Sequence, residues 1–307
     1  MQGIELSEQY YLSYGVKMIE EKFPEFKNRI AAGLVGEGSE CYGFDDDVSQ
    51  DHDWGPGFCL WLNEDDYRTI GQQLELEYEK LPKTFKGYNR LLSRWGSGRV
   101  GVQETGEFYR RFIGVSDVPD TLEKWLNLPE EFLSKCTNGK VFFDSFGEFT
   151  KIRNKLMEFY PEDVRLVKIA GKCMTCAQSG QYNFMRSVRR KQYFPALYAQ
   201  TQFCSDIISM VFLLNRHYTP FYKWKHMAVA SLPILGRFLF ENIDFLIASD
   251  DYKKKESIIE DICAQVIKEL YNQGISDSTS DFLLDHGPVV HSKICDVNLK
   301  QRDVWLG

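Results

Sequence analysis

Two aspartates separated by one residue, Asp51-His52-Asp53, follow the pair Gly38-Ser39 after eleven intervening residues. On a strand, residues i and i+2 face the same way, so the two carboxylates would project side by side. Carboxylates held that close repel each other, and a cation between them relieves the repulsion. Hard cations such as Mg2+ take oxygen ligands and are held by carboxylates together with substrate phosphates. The backbone N–H groups and hydroxyl of a Gly-Ser turn suit a phosphate. Together the two features point to metal-dependent phosphoryl or nucleotidyl transfer. Plainer readings stand beside this one. Asp51 and Asp53 could extend the solvated acidic run Asp45-Asp46-Asp47. Ser39 could be a simple turn residue, Ser49 could cap a strand as readily as touch a phosphate, and His52 would point to the opposite face and pack beneath the sheet.

Elements must hold these residues. The spacing of Tyr11, Tyr14, Met18, Ile19 and Phe23 predicts an amphipathic helix over 7–27, interrupted by Pro24. Residues 30–35 are apolar and short, a strand running into the glycines 36 and 38. Residues 51–62 read as a second strand, with Gly55-Pro56-Gly57 as a bulge or bend. Asn63-Glu64-Asp65-Asp66 opens a helix to about Leu81. Residues 99–112 look strand-like, 121–136 helical, and Asn138-Gly139 is a turn before a strand over 140–143 that ends at Asp144. From about residue 150 helical patterns take over: 151–159, 161–179, 194–216, 223–247 and 252–273. The expected fold is therefore α+β, with residues 1–150 forming a mixed sheet with helices and 151–307 an all-α bundle.

Composition narrows the classes. A chain of 307 residues, 43% hydrophobic and 14% aromatic, can build a bulky core. Its net charge of −7 argues against a broad grip on nucleic acid. The polar start, with Glu5 and Glu8, does not read as a signal peptide, and Pro233, Arg237, Glu241 and Asp244 break the greasy stretch 228–247. The eight scattered cysteines suit reduced, buried thiols in the cytoplasm. Cys173-x-x-Cys176 lacks the second pair a zinc site needs.

The order Gly38-Ser39, spacer, Asp51-x-Asp53 resembles the nucleotidyltransferase superfamily with the DNA polymerase beta type of catalytic fold. The layout, with a helical bundle after the sheet, is similar to antibiotic nucleotidyltransferases. Three phrases, at 139–144, 160–164 and 214–224, resemble the bacterial domain of unknown function 4037 family more closely. The resemblance implies that Gly38 and Ser39 touch a nucleoside triphosphate and that Asp51 and Asp53 bind Mg2+, two ions being present during turnover. It further implies a third carboxylate from a later strand, for which Asp144 and Glu104 are alternatives. One metal would lower the pKa of the acceptor hydroxyl, and the other would hold the triphosphate and stabilise the leaving charge.

The dense basic run 186–191 could neutralise the triphosphate, Arg186 first, or be a solvated surface. Lys223, between Tyr222 and Trp224, could reach a phosphate, although aromatics at that spacing are more often core. Gln181-Tyr182-Asn183 could line an acceptor pocket or form a helix–helix turn, and His286 and His291 read as structural or surface residues. The expected activity moves a nucleoside monophosphate from an NTP to the hydroxyl of a small-molecule acceptor, with no membrane or nucleic-acid partner. The competing readings are a catalytically silent nucleotide-binding module and modification of a protein or tRNA. The acceptor, the choice of NTP and the oligomeric state have no sequence signal.

Overall fold

The computed structural model describes residues 1–49, 53–90 and 98–306, so Asp51 and His52 lie outside the described residues. The chain divides into two compact units, Met1–Asp120 with Glu131–Glu158, and Thr121–Glu130 with Phe159–Gly307. The fold class is α+β. Among the described residues all strands belong to the first unit, and the second is helical.

The first unit opens on a helix built from Gly3–Tyr10, a π-helical turn Tyr11–Gly15, and Val16–Lys22. Strand β1 (Ala31–Leu34) follows and is buried at every position. Gly33 is needed there, because a Cβ would come within 2.6 Å of the Lys140 carbonyl and 3.0 Å of the Trp61 ring. Strand β2 is only Cys59–Leu62, shorter than expected. The helix Glu64–Glu79 comes next, and its Asn63 cap accepts from Asp66 N at 2.9 Å. A two-stranded hairpin that the sequence reading missed, β3 (Thr84–Phe85) and β4 (Tyr88–Asn89), turns through Lys86 and Gly87, both at positive φ. Strand β5 (Gly101–Glu104) leads straight into the helix Thr105–Ile113, so only the first part of the strand-like stretch 99–112 is strand. Strand β6 (Lys140–Phe143) completes a sheet of order β5-β2-β1-β6.

The register fixes the two ends of this sheet. Strands β2 and β6 run antiparallel to β1, and β5 runs parallel to β2. Pairings Gly33–Cys59, Cys59–Gly101 and Leu34–Lys140 lie at one end. Pairings Ala31–Trp61, Ala32–Phe143 and Leu62–Glu104 lie at the other. One face is closed by Tyr10, Tyr11, Phe58, Leu60, Leu74 and Tyr78. Trp61 stacks on Phe149 with ring centroids 3.9 Å apart.

In the second unit the helix Glu162–Cys176 packs against Tyr193–Leu214 and His286–Ser292. Buried Arg165 donates to the Leu213 carbonyl at 3.0 Å and pairs with Glu162, and Lys172 pairs with buried Asp206 at 2.7 Å. Tyr193–Leu214 is long and apolar enough to cross a membrane, with mean hydropathy 1.2, but 72% of that window is buried inside the structure. The expected helix over 223–247 is two helices, Lys225–Val229 and Gly236–Ala248, because Pro233 cannot continue the first and Leu235 takes a left-handed conformation. Cys173 and Cys176 are buried thiols on one helix, and burial pushes both up. His286 is buried, with Ser276 Oγ at 2.8 Å and the Ser280 carbonyl at 2.9 Å from its ring nitrogens.

Candidate functional site

The chain leaves β1 through two glycines that need their freedom, Gly36 at φ 121° and Gly38 at φ 120°. The Asn138 side chain clasps Gly36 from both sides, accepting from its N–H at 2.9 Å and donating to its carbonyl at 2.7 Å. Ser39 then opens a short 3-10 turn, Glu40–Tyr42. Asp53 arrives at the same end of the sheet from the other direction. It does not lie on a strand. It is half-buried at φ 52°, and the backbone bends again at Gly55, φ 125°, before β2 begins at Cys59. The side-by-side strand geometry expected of Asp51 and Asp53 is therefore not the conformation at Asp53.

Arg99 ties these segments together. Its Nη2 donates to the Glu37 carbonyl at 2.8 Å and pairs with Glu40 Oε1 at 2.5 Å, while Nη1 donates to the Asp53 carbonyl at 2.5 Å. Glu40 is buried, and burial, partly offset by Arg99, raises its carboxyl above the usual range. A cavity of about 20 Å³ lies between Glu37, Glu40, Asp53, Gly55, Arg90 and Arg99. Sequence reasoning missed Arg99, Arg90 and Glu40. Only Glu40, adjacent to the Gly-Ser pair, carried a signal that could have found it.

The other predicted site residues are engaged locally, lie at the far end of the sheet, or belong to the second unit. The Ser49 hydroxyl donates to Asp46 Oδ1 at 2.9 Å in a local turn in which Asp46 also accepts from the Val48 and Ser49 N–H groups. Glu104 and Asp144 are not brought to the Gly38 end. Glu104 ends, and Asp144 follows, a strand that runs away from it, and a four-residue strand carries the chain about 10 Å. Both carboxylates cap backbone at the far end. Glu104 accepts from Gly106 N at 2.7 Å, and Asp144 accepts from Gly147 N at 2.7 Å and Thr150 N at 2.8 Å. Glu104 there faces a separate cavity of about 330 Å³ with Glu64, Glu107, Asp117 and Glu148. Arg186 and Lys223 belong to the second unit, over the rings of Tyr182 at 4.3 Å and Trp224 at 4.6 Å. Gln181 joins helical segments, bonding Glu260 at 2.6 Å and the Leu283 N–H at 2.9 Å.

No curated protein matches the chain. Residues 125–225 match a family described as "Domain of unknown function (DUF4037)". The resemblance to DUF4037 is thereby shown. All three phrases that carried it in the sequence, at 139–144, 160–164 and 214–224, lie within the matched DUF4037 stretch, while Gly38, Ser39 and Asp53 lie before it. A solved structure described as a nucleotidyltransferase-like protein from Exiguobacterium sibiricum 255-15 is 11% identical, with 87% of this chain and 79% of that chain covered and a TM-score of 0.32. A likeness of that size transfers neither a fold family nor an activity.

Proposed function

We propose that the protein is a cytoplasmic, Mg2+-dependent nucleotidyltransferase that moves a nucleoside monophosphate from an NTP to the hydroxyl of a small-molecule acceptor. One observation carries this reading: the turn that holds Gly38 and Ser39 and the backbone at Asp53, separated in sequence, come to one end of the sheet, where Arg99 donates to the carbonyls of Glu37 and Asp53. The Ser39 hydroxyl and the turn around it bind phosphate in this reading. Asp53, with Asp51, holds the metal. In this reading the metal rests on that aspartate pair, the neighbouring Glu40 carboxylate being engaged by Arg99. When bound, Mg2+ supplies charge neutralisation and hydroxyl activation.

A second reading, nucleotide binding without transfer, is favoured by the placement of Glu104 and Asp144, which leaves neither third-carboxylate candidate at the Gly38 end. Pyrophosphate release decides between them. Wild type and an Asp51→Asn/Asp53→Asn variant are assayed with each of the four NTPs, Mg2+ and a metabolite extract. Release by wild type alone supports transfer. Binding of an NTP without release supports the second reading, and release by the variant refutes the proposed site.

A further inference from the structure

We infer that Arg99 is the residue that receives the anionic group at the Gly38 turn, and that its ion pair with Glu40 closes this seat until a polyphosphate displaces the carboxylate. The inference deepens the proposed function and rests on it for the polyphosphate being that of a nucleotide.

Three observations carry it. First, the pair fills the open face of the turn. A Cβ added to Gly38 would collide with Arg99 Nη2 and with the Glu40 carboxylate, so these two groups occupy the place a side chain would take.

Second, the arginines at this cavity have donors to spare. Among the described residues, Arg99 Nε and Arg90 Nη1 are buried without a hydrogen-bond partner. The Arg90 side chain is 3% exposed, and the nearest carboxylate to its Nη1, on Glu79, stands at 3.8 Å, too long for a hydrogen bond. Buried donors are nearly always satisfied, so two orphaned guanidinium donors on residues that line one cavity call for an acceptor beyond the described residues, and an anionic ligand supplies one. A guanidinium is the group best matched to phosphate, presenting paired N–H donors in a plane.

Third, further cations stand beside the turn. Glu37 beside the turn already has Arg111 and Lys135 at 3.5 Å. A polyphosphate that replaces the Glu40 carboxylate on Arg99 meets Arg99 and Arg90 at the cavity, with Arg111 and Lys135 beyond it on Glu37. The exchange forms and breaks only ion pairs and hydrogen bonds.

The test is titration of inorganic tripolyphosphate, and separately of ATP, into wild type, Glu40→Gln, Arg99→Lys and Arg99→Met, with thermal unfolding of each. Glu40→Gln removes the competitor and tightens tripolyphosphate binding by about tenfold, the equivalent of one charge-assisted contact. Arg99→Met weakens it by at least about tenfold, and Arg99→Lys keeps part of the affinity. Unchanged or weaker binding by a folded Glu40→Gln variant, or wild-type binding by Arg99→Met, overturns the inference. Should the variants not fold, a structure of wild type with tripolyphosphate takes their place. Phosphate on Arg99 with Glu40 displaced supports the inference, and phosphate elsewhere or none bound overturns it. Tripolyphosphate held by Arg99 without pyrophosphate release from any NTP would leave the inference standing and sink the transferase reading. Nucleotide transfer with an unchanged KM in Arg99→Met would do the reverse.

Discussion

Asp144 separates a structural role from a catalytic one. Its two carboxylate oxygens accept from Gly147 N at 2.7 Å and Thr150 N at 2.8 Å, at the start of the helix Glu148–Met157. Replacement by Ala leaves both N–H groups without that partner, a loss of about 0.5–2 kcal/mol for a helix cap. It also removes a negative charge near a helix N-terminus, which contributes about 0.3–1 kcal/mol. The expected loss is about 2 kcal/mol, or about 4–8 °C in Tm for a unit of this size. Asp144→Asn keeps one acceptor and should lose about half as much. Nucleotide binding and pyrophosphate release should stay at the wild-type level in both variants, because β6 carries Asp144 away from the Gly38 end. Thermal unfolding and pyrophosphate release measured on the same preparations check this. An Asp144→Asn variant that melts like wild type and releases no pyrophosphate would refute the register argument and restore Asp144 as the third carboxylate.

Three further perturbations probe other parts of the chain. Gly38→Ala forces a side chain into a φ of 120° and against Arg99 and Glu40, so urea unfolding should show a loss of about 1–3 kcal/mol together with lost tripolyphosphate binding. Lys172→Met leaves Asp206, 4% exposed, without its cation and should cost about 3–5 kcal/mol, whereas Lys172→Met/Asp206→Leu should recover most of that loss. Burial, then the carboxylates of Glu104, Asp144, Asp66 and Asp117, raises the Glu148 carboxyl above its ordinary 4.5. The folded chain then binds this proton more tightly than the unfolded one, so ionising Glu148 lowers stability as pH rises above 4.5. Glu148→Gln should stabilise the protein at pH 7 by less than about 1 kcal/mol, given the solvent exposure of the group, and the gain should vanish in unfolding measured below pH 4.5.

Local signals in the sequence marked several elements. Asn63 ahead of three acidic residues gave the start of its helix, and the observed cap is the hydrogen bond that pattern implies. Asn138-Gly139 gave the turn before β6, with Gly139 at φ 64°. Failures came where two signals competed. Val100, Val102 and the glycine between them suit a strand, but the pattern continues past Glu104, whose side chain turns back to cap Gly106 and starts a helix. The β3–β4 hairpin turns on Lys86 at φ 51°, a conformation its side chain does not advertise. Between residues 223 and 247 the apolar spacing outweighed Pro233 in the reading, and in the structure the proline and left-handed Leu235 outweigh the spacing.

The site was legible only in part for a related reason. Each of its carboxylates could be assigned from sequence to the end of a strand, but not to an end of the sheet. Gly38 and Ser39 follow β1, and Asp53 precedes β2. Because β2 is antiparallel to β1, leaving one and approaching the other happen at the same end. Glu104 closes β5 and Asp144 follows β6. Strands β2, β5 and β6 all point the same way, against β1, so the finish of either β5 or β6 is the opposite end. Reversing one strand would have moved its carboxylate about 10 Å to join Asp53, with no change in the local pattern of residues. Arg99 illustrates the converse. It stands 59 residues from Glu40 in the chain and had no motif to mark it. Yet it lies just before β5, whose start pairs with the start of β2 beside the Gly38 turn, and the same parallel pairing that carries Glu104 away delivers Arg99.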